Sequence, residues 1–143
     1  MKILVLNGPN LNMLGIREPA IYGSDSYTAL VAYINAAAAE ANVTVEIFQS
    51  NHEGVLVDRI QEALGKYDAI VINPAAYTHT SVAIADALTA VALPVVEVHL
   101  SDITKREAFR RHSFVAPIAK RTYMGKGFDV YRLAIRYLAL GEE

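Results

Sequence analysis

The sequence contains no cysteine and no tryptophan. Without cysteine, a disulfide, a thiolate nucleophile and a cysteine-ligated metal are all excluded. Without tryptophan, and with the other aromatics scattered, there is no platform on which nucleic-acid bases could stack. Neither sign of charge dominates: 13 Lys and Arg against 15 Asp and Glu leave a net charge of −2. That is too little to attract nucleic acid or an anionic membrane. No apolar run approaches the ~18 residues needed to span a bilayer. The opening stretch, Met1 to Asn7, places only five apolar residues before Gly8-Pro9, fewer than a signal-peptide core needs. A cytoplasmic protein is expected, with no nucleic-acid or membrane partner.

What is present is a core-forming composition. The 143 residues are 53% hydrophobic and 20% charged, which excludes a disordered chain and suits one domain spanning 1–143. Five apolar runs read as strands: Ile3–Leu6, Val43–Phe48, Ala69–Ile72, Pro94–Val98 and Ser113–Ile118. The first, third and fourth are continuous rather than alternating, as strands buried on both faces require. Helical periodicity fills the intervals. Tyr27, Leu30, Val31, Ile34 and Ala38 mark one helix face, with Ser24, Asp25 or Ser26 as its N-cap. Leu56, Ile60, Ala63, Leu64 and Tyr67 mark a second, Ile84, Ala87, Leu88 and Val91 a third, and Val130, Leu133, Ala134, Tyr137 and Leu138 the last. Residues 104–111 suit a short additional helix. Strict β-α alternation with short connectors predicts a doubly wound, flavodoxin-like α/β fold. Its five-stranded parallel sheet has the order 2-1-3-4-5 and helices on both faces.

One connection is out of proportion. About 18 residues, from Gly8 to Asp25, separate the first strand from the first helix, where two to six is usual. A long Gly/Pro-bearing loop at the carboxyl end of the central strand reads as a lid or binding loop.

Polar clusters gather at the predicted carboxyl ends of four strands, where ligands bind in such folds. They are Asn7 to Asn12, Gln49 to Glu53, Asn73 to His79, and Glu97 to Ser101. His99 is the leading candidate, with a structural histidine as the alternative. Glu97 lies two residues earlier, so alternation puts both side chains on one face. A carboxylate there would hold the imidazole tautomer and favour its protonated form, suiting it to general-acid work. His79 is expected to open the third helix, serving either ligand or helix terminus, while His52 and His112 lean towards structure. Arg17 and Tyr22 in the long loop form a second pair. Either they are a solvated cation and a packed ring, or a tyrosine base activated by a neighbouring charge. Such a charge at ~4 Å and an effective dielectric of ~20 is worth about 4 kcal/mol, enough to move a phenol about three pH units. Lys105, Arg106, Arg110 and Arg111 form a small basic face, either solvated or binding an anion. No ligand spacing supports a metal. The loop after the first strand lacks GxGxxG and GxxxxGK[ST], which removes dinucleotide and P-loop readings, and the lack of a GxSxG elbow weakens a hydrolase reading. A flavin-binding or regulatory module of the same fold stays open.

Several segments together resemble the type II 3-dehydroquinate dehydratases: Asn7-Gly8-Pro9-Asn10-Leu11-Asn12-Met13-Leu14-Gly15, Arg17-Glu18-Pro19 with Tyr22-Gly23, and Gln49 to Gly54. So do Asn73-Pro74-Ala75-Ala76 with Thr78-His79-Thr80-Ser81, Glu97-Val98-His99-Leu100-Ser101, and Arg106 to Ser113. The match runs in order over nearly the whole chain and departs after Val115, where Lys120-Arg121-Thr122-Tyr123-Met124 replaces a more apolar stretch. Asp102 stands where the family usually has Asn, and Ala85 where Arg is common. The resemblance implies a lyase that dehydrates 3-dehydroquinate to 3-dehydroshikimate in the shikimate pathway. It implies anti elimination through an enolate, without metal, Schiff base or cofactor. By the same resemblance Tyr22 is the base, Arg17 its activator, Asn12 the enolate-stabilising group and His99 the acid oriented by Glu97. Asn73, His79, Leu100, Ser101 and Arg110 would bind substrate, and Asp86 would reach a neighbouring subunit's site in a homododecamer built as a tetramer of trimers. Asp86 also falls opposite Ile84, Leu88 and Val91 on an ideal helix, flanked by Ala83 and Ala90, which leaves room for another chain.

Overall fold

A computed structural model describes residues 1–16 and 25–142. Its strands form one parallel sheet in the expected order, β2-β1-β3-β4-β5. Strands β1 (Lys2–Asn7), β3 (Ala69–Asn73) and β4 (Val95–His99) are buried apart from Lys2, whereas β2 (Thr44–Gln49) and β5 (Arg121–Met124) are partly exposed edges. The continuous apolar runs explain this. Successive side chains alternate across a strand, so Ile3 and Val5 enter one core while Leu4 and Leu6 enter the other. Helices α1 (Tyr27–Glu40) and α4 (Asp129–Leu140) close the first core; α2 (Glu53–Glu62) and α3 (Val82–Val91) close the second. Each fully buried Leu or Ile contributes about 1.5–3 kcal/mol, and both layers are rich in them.

Helix starts follow local chemistry. Ser26 is the N-cap of α1, its Oγ accepting from the Ala29 N–H at 3.1 Å. Ser81 caps α3 in the same way through Ile84, at 2.9 Å. His79 therefore does not open α3; it ends the preceding 3₁₀ turn, Ala75–His79. Helix α2 stops at Glu62, and Leu64, expected on its buried face, is 63% exposed.

Two expectations fail near the carboxyl end of the sheet. Ser113–Ile118 is not the fifth strand: Ala116–Ile118 is a 3₁₀ turn and β5 begins at Arg121. Pro117 has no N–H for a ladder, and Ser113 Oγ accepts from the N–H groups of Val115 and Ala116, curling the chain there. Residues 104–111 form two short 3₁₀ turns, Ile103–Lys105 and Ala108–Arg110, separated by an extended Arg106. Only Ile103 of these turns is buried, so no apolar stripe holds a longer helix down.

Strands β1, β2 and β3 end level, with Asn7 paired to both Gln49 and Asn73. Gly8 lets the following loops meet. Its N–H donates to the Asn73 carbonyl at 2.8 Å, and a Cβ there would lie 2.5 Å from the Pro74 oxygen.

Candidate active site

The carboxyl ends of β1, β3 and β4 open into a cleft of about 620 Å³. Six residues expected at the site line it: Asn73, His79, His99, Leu100, Ser101 and Arg110. Arg106, Phe109 and Asn10 line it too. Arg106 is one of the four basic candidates of the sequence, Asn10 belongs to the Asn7 to Asn12 cluster, and Phe109 has no role in the sequence reading. No Asp or Glu lines the cleft among the described residues, while two guanidinium groups do. The arrangement favours an anionic, hydroxyl-rich ligand.

His99 ends β4, and its Nε2 is 2.8 Å from Glu97 Oε2. Both are buried, His99 at 5% exposure and Glu97 at zero. Burial pushes the Glu97 carboxyl up. Hydrogen bonds from His99, Ser113 and Thr78, with the charge of His99, outweigh it and hold the group below its ordinary range. An ionised Glu97 only accepts, so His99 Nε2 carries the proton and Nδ1 is the nitrogen left for the cleft. His79 is oriented from the other direction. Its Nδ1 lies 2.8 Å from the His112 carbonyl, which can only accept, leaving Nε2 for a ligand.

Arg106 Nη2 donates to Ser101 Oγ, and Arg111 Nε donates to the Arg106 carbonyl at 2.5 Å. The basic segment is thus folded back over the end of β4. Arg110 sits 3.8 Å from Glu107 with both side chains over half exposed, a pair worth little in water. Its guanidinium remains available to the cleft.

Asn73 is held from behind. Its Nδ2 donates to Tyr131 Oη at 3.0 Å, and its Oδ1 accepts from the Ala75 N–H at 3.2 Å. The same tyrosine hydroxyl donates to Asn7 Oδ1 at 2.6 Å. Tyr131 is fully buried, and sequence reading placed it in no role, although it shares a helical face with Ala134 and Leu138. Thr78, Ser113 and Thr122, which donate to Glu97, were also missed. Single hydroxyls carry no periodic signal.

Three expected site residues stand apart from the cleft lining. Glu97 lies beneath it, behind His99. Asn12 is exposed on the turn Leu11–Met13, its Oδ1 accepting from Gln49 Nε2 at 3.2 Å. Asp86 is exposed on the outer face of α3, as its helical position predicts, and does not line the cleft. Arg17 and Tyr22 lie outside the described residues. His52 precedes α2 without a side-chain cap, and His112 packs edge-on against Phe114 at 4.5 Å. Among the described residues, no three His, Asp or Glu side chains cluster closely enough to hold a metal ion.

Comparison with known proteins adds to this geometry. A family model described as Dehydroquinase class II matches residues 1–139. A Geotalea daltonii protein named 3-dehydroquinate dehydratase is 57% identical over 136 residues, covering 95% of this chain and 94% of its own length. A Verticillium alfalfae protein named catabolic 3-dehydroquinase is 54% identical over 138 residues, covering 96% and 92%. The crystal structure of a type II dehydroquinase from Butyrivibrio crossotus matches with a TM-score of 0.90 at 51% identity, over 96% of this chain and 97% of that one.

Proposed function

Since the chain belongs to the class II dehydroquinase family, we propose that it is a 3-dehydroquinate dehydratase, removing water from 3-dehydroquinate to give 3-dehydroshikimate. The observation that carries this reading is the buried Glu97–His99 pair at the end of β4, opening beside Arg106 and Arg110 in a cleft without carboxylates. Arg110, with Ser101 and the Leu100-Ser101 backbone, receives the substrate carboxylate; Asn73 and His79 take its hydroxyls.

Elimination then proceeds in two stages. Tyr22, activated by Arg17, takes the proton next to the ketone, leaving an enolate that Asn12 stabilises through a water. His99 next gives its Nδ1 proton to the departing hydroxyl, the C–O bond breaks and water leaves. Glu97 steadies the imidazolium before transfer and the Nε2–H tautomer after it. No metal, cofactor or imine takes part.

The whole of 1–143 acts as one catalytic domain, with the loop at about 8–25 as its lid. The reading extends to a cytoplasmic homododecamer, a tetramer of trimers in which Asp86 serves a neighbouring subunit. An exposed Asp86 flanked by exposed Ala83, Ala90 and Val82 supports it. No helix among the described residues is long and apolar enough to cross a membrane.

Incubation with 3-dehydroquinate tests the activity directly. Ultraviolet absorbance of the conjugated enone should rise with the parent, with EDTA present or absent, and far more slowly with His99→Ala. No absorbance change with the parent protein would overturn the reading.

A further inference from the structure

Glu97 has no exposed surface, where an unpaired carboxylate would be costly. It is met by four donors from four segments. Oε2 accepts from Thr78 Oγ1 and Ser113 Oγ, each at 2.6 Å, and from His99 Nε2 at 2.8 Å; Oε1 accepts from Thr122 Oγ1 at 3.0 Å. Three of the donors converge on Oε2 and one reaches Oε1, so both carboxylate oxygens are partnered.

The protons can be assigned. Ser113 Oγ already accepts the N–H groups of Val115 at 3.2 Å and Ala116 at 3.0 Å, so its own proton is free for Glu97. Thr78 Oγ1 lies 2.9 Å from Ser113 Oγ. Two hydroxyl protons cannot serve three contacts, so that oxygen pair is left without one when both donate to the carboxylate. This assignment gives each oxygen of an ionised Glu97 at least one donor. The same contacts tie the arginine-bearing segment down. His112 holds His79 through its carbonyl, Ser113 holds Glu97, and the Phe114 N–H donates to the Thr78 carbonyl at 2.9 Å.

We propose that Thr78, Ser113 and Thr122 are positioning residues of the reaction: their hydroxyls fix Glu97 as a fully partnered carboxylate that holds His99 by Nε2–H, so that Nδ1 alone exchanges a proton with the ligand. Thr122 lies in the segment where the sequence departs from the family resemblance. The proposal rests on the lyase reading above only for the identity of the ligand.

The sign of the effect follows from charge. Each hydroxyl donor disperses the charge on Glu97. With one donor gone, the carboxylate attracts the imidazolium more strongly and His99 binds its proton more tightly. The other ionisable groups lining the cleft are His79 from the 75–79 turn and Arg106 and Arg110 from the basic segment, and the variants leave them in place.

The experiment follows the ¹⁵N signals of His99 against pH in ligand-free protein, alongside turnover of 3-dehydroquinate. Thr78→Val and Thr122→Val remove a hydroxyl at nearly constant volume. In both, the His99 midpoint should rise by about half a pH unit or more, about a threefold change in proton affinity. The alkaline limb of the rate profile should follow, with kcat about tenfold lower and KM within about twofold. Thr78→Ser and Thr122→Ser should restore parent behaviour. A midpoint that stays or falls in folded Val variants, or Ser variants that fail to restore it, overturns the proposal. Thr122, on an edge strand, carries the test if Thr78→Val does not fold. If the His99 midpoint rises in the Val variants but the parent leaves 3-dehydroquinate untouched, the lyase reading falls and the cradle stands.

Discussion

Glu97 makes the protein's stability depend on pH in a defined direction. The folded state holds its carboxyl below the ordinary value of 4.5, so the unfolded chain binds this proton more readily. The stabilisation is therefore complete above that ordinary value and is lost as pH falls through the lower folded value. Urea unfolding from pH 7 down to pH 3 should show Glu97→Gln about 1–3 kcal/mol less stable at neutral pH, with the gap closing in acid. Parallel profiles for parent and variant would contradict the assignment. Comparing the two isolates Glu97 from Glu46, Asp102 and Glu142, whose carboxyls are also held low by hydrogen bonds and cations.

The proposed base predicts a different pattern. A free phenol titrates near pH 10, so Tyr22 works at neutral pH only with help. Tyr22→Phe should abolish turnover while leaving substrate binding largely intact, and retention of a tenth of parent activity, about 1.4 kcal/mol, would end the assignment. Arg17→Lys keeps the charge but moves it and loses the planar fork. The acid limb of its rate profile should shift to higher pH, whereas His99→Ala should leave that limb in place.

At the scale of elements, one hydroxyl joins a helix to two strands. Tyr131, from α4, bridges Asn7 at the end of β1 and Asn73 at the end of β3. It is out of reach of solvent, and burial pushes its phenol far above the ordinary range, so it acts as a neutral hydrogen-bonding group. Tyr131→Phe leaves a buried amide oxygen without its donor, at a cost of about 1–3 kcal/mol. Denaturant midpoints should fall accordingly, and KM should rise more than kcat falls because Asn73 loses its rear support. An unchanged midpoint would mean that the strand ends hold themselves.

For the whole molecule, Asp86 tests whether sites are shared between subunits. It is exposed and does not line its own cleft. If it completes a neighbour's site, Asp86→Ala and His99→Ala proteins should each be nearly inactive. Dissociated together and reassembled, they should recover part of the activity, since some sites then combine an intact His99 with an intact Asp86. Absence of recovery, or sedimentation as a 15.6 kDa monomer at micromolar concentration, would refute a shared site.

Much of this protein was determined locally. Continuous apolar runs in β1, β3 and β4 force burial on both faces of a parallel sheet, and the alternation of five strands with helices suggests the order 2-1-3-4-5 that the sheet has. The period of two put Glu97 and His99 on one side of β4, and the period of 3.6 turned Asp86 away from the core. Such patterns report the direction in which a side chain leaves its own backbone, and nothing about what it meets there. What it meets was decided by the tertiary structure. β5 is an edge, so Arg121-Thr122-Tyr123-Met124 needs no apolar run and shows none; register with β4 selects it. The hydroxyl donors on Glu97 lie 19, 16 and 25 residues away, and Tyr131 reaches Asn7 across 124. Those partners are chosen by the packing of separate segments against a buried charge, because an unpaired polar group in that place costs more than the chain loses by bringing them together.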